Sequence, residues 1–242
     1  MYFWRSKRFA AGLPPLSPTY KPAIVCYVTS RTSLTSGASI PGLLERIRAA
    51  IEAGADWVQI REKDLPARDL TALAREAVII AAAARNPGLA GKAAILINDR
   101  LDVAIASGAS GVHLGRESAP AREVVRWCRG GSAPADFRVG VSCHSLDETH
   151  EAESTGADYV FFGPVYNTPS KRRFGAPLGI ERLAELCRCV RIPVIAIGGV
   201  NAENAAECVG AGAAGIAAIR MFQEVSDARA LREVIARLHQ PA

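Results

Sequence analysis

The chain has 242 residues, 49% of them hydrophobic and 22% charged, with a formal net charge of +5. That is an ordinary globular balance, and one domain of this size would bury roughly three quarters of its unfolded surface without needing covalent staples. The charge is modest and lacks the basic stripe interleaved with aromatics that marks nucleic-acid binders, and no apolar run approaches a membrane span.

Residues 1–22 carry Arg5, Lys7, Arg8 and Lys21, no acid, and no continuous apolar core of the kind a signal peptide needs. They read as a loosely packed basic extension ahead of a domain at 23–242. The first strand candidate is AIVCYVT (23–29), and no Gly-x-Gly-x-x-Gly follows it. A helical pattern at 41–53 leads into EAGADWVQI (52–60), and one at 66–85 into AAILIND (93–99). Shorter helical connections at 100–107 and 120–129 flank ASGASGVHL (106–114) and precede FRVGVS (137–142). Helices at 145–155 and 178–188 bracket STGADYVFF (154–162), then PVIAIGG (193–199), a helix at 201–209, GAGAAGIAA (210–218) and a last helix at 226–238.

Four of these stretches repeat one form: a helix end, a glycine, a small turn and a short apolar run. Glycine suits the left-handed residue that closes a helix, and the run after it is too short for a helix and too continuous for a half-exposed strand. Strand alternating with helix implies a parallel sheet with right-handed crossovers. Eight such units in one uninterrupted pattern predict a single α/β domain, a closed (β/α)8 TIM barrel; an open doubly wound sheet is the less supported alternative.

In such barrels chemistry occurs at the C-terminal strand ends. Those ends carry Arg61, Glu62 and Lys63; Asn98 and Asp99; His113, Arg116, Glu117 and Ser118; Ser142 and His144; Thr168, Ser170, Lys171, Arg172 and Arg173; Gly198 and Gly199; and Arg220. Cations, hydroxyls and a Gly-Gly turn suit phosphate or diphosphate oxygens, whereas Asp99 and Glu117 offer hard oxygen donors for Mg2+. Each residue also has a plainer reading. Gly198-Gly199 could be only a tight turn, Asp99 a helix cap, His144 a loop contact and His113 a satisfied core histidine. The functional case rests on their convergence on one rim. Six cysteines at 26, 128, 143, 187, 189 and 208 form no Cys-x-x-Cys pair, so free thiols in a reducing cytoplasm are expected.

VQIREK, INDR, GVHLG, GVSCHS, FGPVYNTPSK and IAIGGV, in this order and together spanning most of residues 23–238, resemble the thiamine-phosphate synthase and thiazole tautomerase family. The resemblance implies a transferase that joins 4-amino-2-methyl-5-diphosphomethylpyrimidine to a thiazole phosphate and releases pyrophosphate, with Mg2+ as cofactor and no nucleic-acid or membrane partner. It implies a pyrimidine diphosphate site of Gln59, Arg61, Glu62, Lys63, Asn98, Ser142 and Lys171. Thr168, Ser170 and Gly198-Gly199 would hold the thiazole phosphate, and Asp99, with Glu117, the metal. Lys171, Ser142 and His144 are the catalytic candidates.

The sister activity, aromatising a thiazole carboxylate phosphate tautomer, would use His144 as general acid and base. Asn98-Asp99 and Lys63 favour the synthase; a barrel that binds these ligands without turnover is a third reading. Two departures stand out. Gly115-Arg116-Glu117-Ser118 replaces a Gly-Gln-(Asp/Glu)-Asp run whose last carboxylate is a second metal ligand, and Arg220 stands where the family often has a serine against the thiazole phosphate. The sequence leaves open whether the chain forms a homo-oligomer.

Overall fold

The computed structural model describes residues 23–34, 37–84, 92–168, 176–224 and 228–240; the N-terminal extension read from the sequence lies outside them. The apolar runs form β1 (Ile24–Val28), β2 (Trp57–Ile60), β3 (Ala94–Asn98), β4 (Gly111–Leu114), β5 (Arg138–Cys143), β6 (Tyr159–Phe162), β7 (Val194–Ile197) and β8 (Gly215–Ala218). Each pairs in parallel with the next, and β8 closes on β1 with Ile24 opposite Gly215 and Tyr27 opposite Ala218. The expected barrel is therefore observed.

Both faces of each strand are covered, which is why the strands read as continuous apolar runs rather than alternating ones. Val25, Tyr27, Val58, Ile60, Ile95 and Ile97 face outward into one large core shared with the helices. Cys26, Val28, Trp57, Leu96, Tyr159, Phe161, Ile195 and Ala217 face inward and fill the barrel as a separate cluster. Successive side chains in a strand alternate faces. That alternation carries inward-facing residues upward from Trp57 to Gln59 and Arg61, and from Leu96 to Asn98.

The helices are α1 (Ile40–Ala53), α2 (Ala67–Ala83), α3 (Leu101–Ser107), α4 (Ala121–Trp127), α5 (Leu146–Thr155), α6 (Gly179–Cys189), α7 (Ala205–Gly210), α8 (Arg220–Gln223) and α9 (Ala228–Leu238). In α1 the buried positions Leu43, Ile47, Ala50 and Ile51 recur every three or four residues, the spacing of one helical face. Ser39 caps it, its Oγ accepting from Gly42 N–H at 3.2 Å. At the ends of α1, α3 and α5, Gly54, Gly108 and Gly156 adopt φ of 113°, 71° and 84°, the left-handed closure behind the repeated sequence phrase.

Three details differ from the sequence expectation. Helix α7 begins at Ala205 rather than 201, because Asn201 and Asn204 accept hydrogen bonds from nearby backbone N–H groups and hold a turn instead. Helix α4 stops at Trp127 and widens into a π-type turn over Cys128–Ser132, where Gly131 has φ 90°. Helix α8 has only four residues, too short for any periodic pattern to reveal.

All six cysteines are free. Burial pushes the thiols of Cys143, Cys187 and Cys208 up to about 11, so they remain protonated and unreactive near neutral pH. Two cavities of about 390 and 620 Å3 share Trp57, Asp136 and Arg138. Their walls are the beginnings of the strands, so they open at the N-terminal end of the barrel, opposite the mouth.

Candidate active site at the barrel mouth

Four inward positions near the strand ends carry polar groups. Gln59, 2% exposed, donates from Nε2 to Asn98 Oδ1 at 3.2 Å. His113, also 2% exposed, lies opposite Asn98 in the β3–β4 register. Its Nε2 is 2.9 Å from Ser142 Oγ and its Nδ1 is 3.2 Å from the Tyr159 hydroxyl. Gln59, Asn98, His113 and Ser142 thus form a hydrogen-bonding layer above the apolar filling. Burial, reinforced by the nearby Arg61 cation, pushes the His113 imidazole down to about 3, so the ring is neutral. Arg61 and Lys63 are exposed at the rim.

Asp99 follows β3 with φ 68°, and among the described residues no other non-glycine has a positive φ. Its N–H donates to His113 O at 2.8 Å, which ties the strained residue to the end of β4. The helix-cap alternative fails: α3 starts from Arg100 with no side-chain cap. Arg100 is turned away by a two-pronged contact with Asp102, at 2.9 and 2.5 Å. The exposed Asp99 carboxylate accepts no hydrogen bond from the described residues.

Gly198 and Gly199 have φ of 93° and 71°. A Cβ on Gly198 would sit 2.6 Å from Pro164 Cα, and one on Gly199 2.6 Å from Asn167 O, so the turn packs directly on the segment after β6. Gly198 O accepts from Tyr166 N–H at 2.9 Å and Gly199 O from Asn204 Nδ2 at 3.1 Å. Their carbonyls are occupied, while the N–H groups of Gly199 and Val200 have no acceptor among the described residues. This is a donor pair suited to an anion, placed after β7 where barrels often hold a phosphate. Gly198→Ala is expected to cost about 2 kcal/mol from the left-handed backbone and the close contact. A thermal melt should fall by about 6 °C.

Residues 26–222 match the family described as "Thiamine monophosphate synthase". The chain belongs to this family. It is 40% identical over 215 residues to a thiamine-phosphate synthase of Moorella thermoacetica, covering 87% of this chain and 95% of the relative. It is 39% identical over 217 residues to one of a Roseiflexus species, covering 88% and 85%. The structure of a thiamine phosphate pyrophosphorylase from Pyrococcus furiosus superposes with a TM-score of 0.73 at 30% identity, covering 89% of this chain and 94% of that one.

Within this thiamine monophosphate synthase barrel, Glu62 is placed differently from its charged neighbours Arg61 and Lys63. Glu62 is 5% exposed and faces away from the mouth. Thr29 Oγ1 donates to its Oε1 at 2.6 Å, and Arg31 N–H lies 3.1 Å from both carboxylate oxygens. Strand alternation explains this: with Gln59 and Arg61 inward, Glu62 must point outward. Its carboxylate joins the end of β2 to the segment after β1.

The donor chemistry fits a magnesium ion. Asp99 and Glu117 follow neighbouring strands and are both exposed. Among the described residues no three His, Cys, Asp or Glu side chains cluster to hold a metal. Mg2+ needs only one or two carboxylates when substrate phosphates supply the other oxygens. Ser118 Oγ accepts from Gly115 N–H at 2.8 Å and closes the turn after β4.

His144 is exposed at the start of α5, and its Nδ1 donates to the Gly163 carbonyl, so the loop contact considered from the sequence is present. Thr168 is half-buried after β6. Ser170, Lys171, Arg172 and Arg173 lie outside the described residues. Arg220 opens α8, half exposed, with its Nε 4.0 Å from Glu224 Oε1, a weak surface pair.

His113 is the residue whose part in the layer the sequence reading undervalued. The available signal was its position: inward-facing, at the same height as Asn98 on the adjacent strand. The extended loop after β6 is held in part by Tyr166, whose hydroxyl donates to Glu207 Oε2 at 2.5 Å.

Proposed function

We propose that the chain makes thiamine phosphate from a pyrimidine methyl diphosphate and a thiazole phosphate. The observation that carries this reading is the arrangement at the mouth: an inward polar layer and cationic rim on β2–β5, facing a separate anion-suited turn after β7, in a chain of the synthase family.

The pyrimidine methylene C–O bond breaks, its electron pair leaving with pyrophosphate, and the thiazole nitrogen lone pair forms the new C–N bond. No proton abstraction is needed to make that bond, so the site must stabilise charge and align two reactants. Gln59 and Asn98 orient the pyrimidine through their amides. Arg61, Lys63 and Lys171 balance the charge accumulating on the leaving diphosphate, and Ser142 donates to it. Thr168, Ser170 and the Gly199 and Val200 N–H groups hold the thiazole phosphate. Arg220 adds a cation to that end of the mouth. Asp99, with Glu117, would hold Mg2+, which when bound neutralises diphosphate oxygens. His144 steadies the loop after β6. Free thiols throughout support a reducing compartment, the cytoplasm. Among the described residues no helix is long and apolar enough to cross a membrane.

The test is the purified chain with both substrates and Mg2+, following thiamine phosphate by mass-resolved chromatography. Metal-dependent product that falls by about a hundredfold in Lys171→Ala is the expected result. Folded protein that forms no product would overturn the reading and make the thiazole tautomer assay, with His144→Ala, the next measurement.

A further inference from the structure

The buried contacts of His113 and Tyr159 define a direction of hydrogen bonding as well as a set of neighbours. Tyr159 is 1% exposed, and burial raises its hydroxyl pKa, so it carries its proton. Gln223 Oε1 is the sole buried side-chain polar atom without a partner among the described residues, so the Tyr159 hydroxyl is satisfied, and the partner its geometry provides is His113 Nδ1. A buried O–H donates where it can. Tyr159 therefore donates to Nδ1, which must present a lone pair, and the single ring proton sits on Nε2. Nε2–H then donates to Ser142 Oγ across 2.9 Å. With its oxygen already accepting, the Ser142 hydroxyl keeps its own hydrogen for the mouth.

Packing holds this arrangement in place. The His113 ring lies 4.2 Å from Phe161 and 5.6 Å from Tyr159, centroid to centroid, and Trp57 packs on Tyr159 at 4.7 Å. Gly140 provides the space: a Cβ there would fall 2.4 Å from the Tyr159 hydroxyl oxygen.

We infer that Tyr159 and His113 are positioning residues that fix the Ser142 hydroxyl as a donor to the anionic end of the pyrimidine substrate. The identity of that acceptor rests on the synthase reading; the hydrogen-bond direction does not.

The tautomer can be read directly. The full chain has four histidines, so a long-range 1H–15N spectrum of 15N-histidine protein is simple, and His113→Gln identifies the His113 signal by its loss. The expected pattern at neutral pH is a proton on Nε2 and a bare, hydrogen-bonded Nδ1. A proton on Nδ1, or on both nitrogens, overturns the inference.

Function is read as a cycle. Replacing His113 by Leu should weaken both pyrophosphate binding, measured by calorimetry, and kcat/KM about tenfold, the scale of one hydrogen bond. His113→Gln, whose amide N–H can reach the Nε2 position, should stay within about threefold. In a Ser142→Ala background the Leu change should add little, because coupled residues are not additive. Full additivity overturns the positioning role even if the tautomer is correct. If the wild-type chain forms no thiamine phosphate but the tautomer and the pyrophosphate cycle behave as stated, the synthase reading fails and the positioning role stands.

Discussion

Asp99→Asn is expected to lower thiamine phosphate formation by about two orders of magnitude and to leave thermal unfolding unchanged. The choice of asparagine follows from the backbone. Asp99 sits at φ 68°, a conformation that Asn tolerates and most residues do not. Asn therefore keeps the turn and its N–H bond to His113 O while removing only the charge. On the proposed reading this exposed carboxylate would be the principal metal ligand, with Ser118 Oγ already accepting from Gly115 N–H in its own turn. On that reading, losing it would remove about 3 kcal/mol of charge stabilisation on the leaving diphosphate, each 1.36 kcal/mol being about tenfold in rate. Steady-state kinetics against Mg2+ concentration provides the check: partial recovery at high Mg2+ is expected. Near-normal turnover at low Mg2+ would remove Asp99 from the metal site.

Glu62→Ala is expected to show the opposite signature, a large loss of stability. The substitution leaves the Arg31 N–H and the fully buried Thr29 hydroxyl without their acceptor. Orphaning donors that were bonded to a buried carboxylate costs about 3 kcal/mol, which for a chain of this size lowers the melting midpoint by about 9 °C. Glu62→Gln keeps one carbonyl oxygen to accept both bonds and should retain most of the stability, with kcat/KM within about threefold. Thermal melts paired with turnover distinguish the two roles. Normal stability in Glu62→Gln with a hundredfold loss of turnover would return this carboxylate to the reactants.

The fate of this carboxylate shows what a strand-end reading can and cannot resolve. Residues 61–63 look like one charged cluster in the linear chain, but the two-residue alternation sends Arg61 and Glu62 to opposite faces of the barrel wall. Counting inward from Trp57 could have assigned the faces; the partners on β1 could not be read that way, because Thr29 and Arg31 are more than thirty positions away. The four-residue α8 escaped for a different reason, since one helical turn holds no period to detect. The later start of α7 followed from Asn side chains competing for backbone N–H groups, a local choice that composition permits without requiring.

The sequence alone determined the architecture and the composition of the rim. Eight short apolar runs, each too short for a helix and each separated by helix, close most simply as a parallel barrel, and a parallel barrel places its strand ends at one mouth. Helix-terminal glycines at 54, 108 and 156 marked where the chain reverses because few other residues adopt that backbone conformation. Tertiary structure decided which of the rim residues act together. The direction of the Ser142 hydroxyl depends on a tyrosine and a histidine from two other strands, in contact because Gly140 leaves space for a ring. The freedom of the Asp99 carboxylate depends on Asp102 holding Arg100 aside and on a backbone bond across to β4. Such outcomes are set by distances between strands, which sequence spacing does not encode.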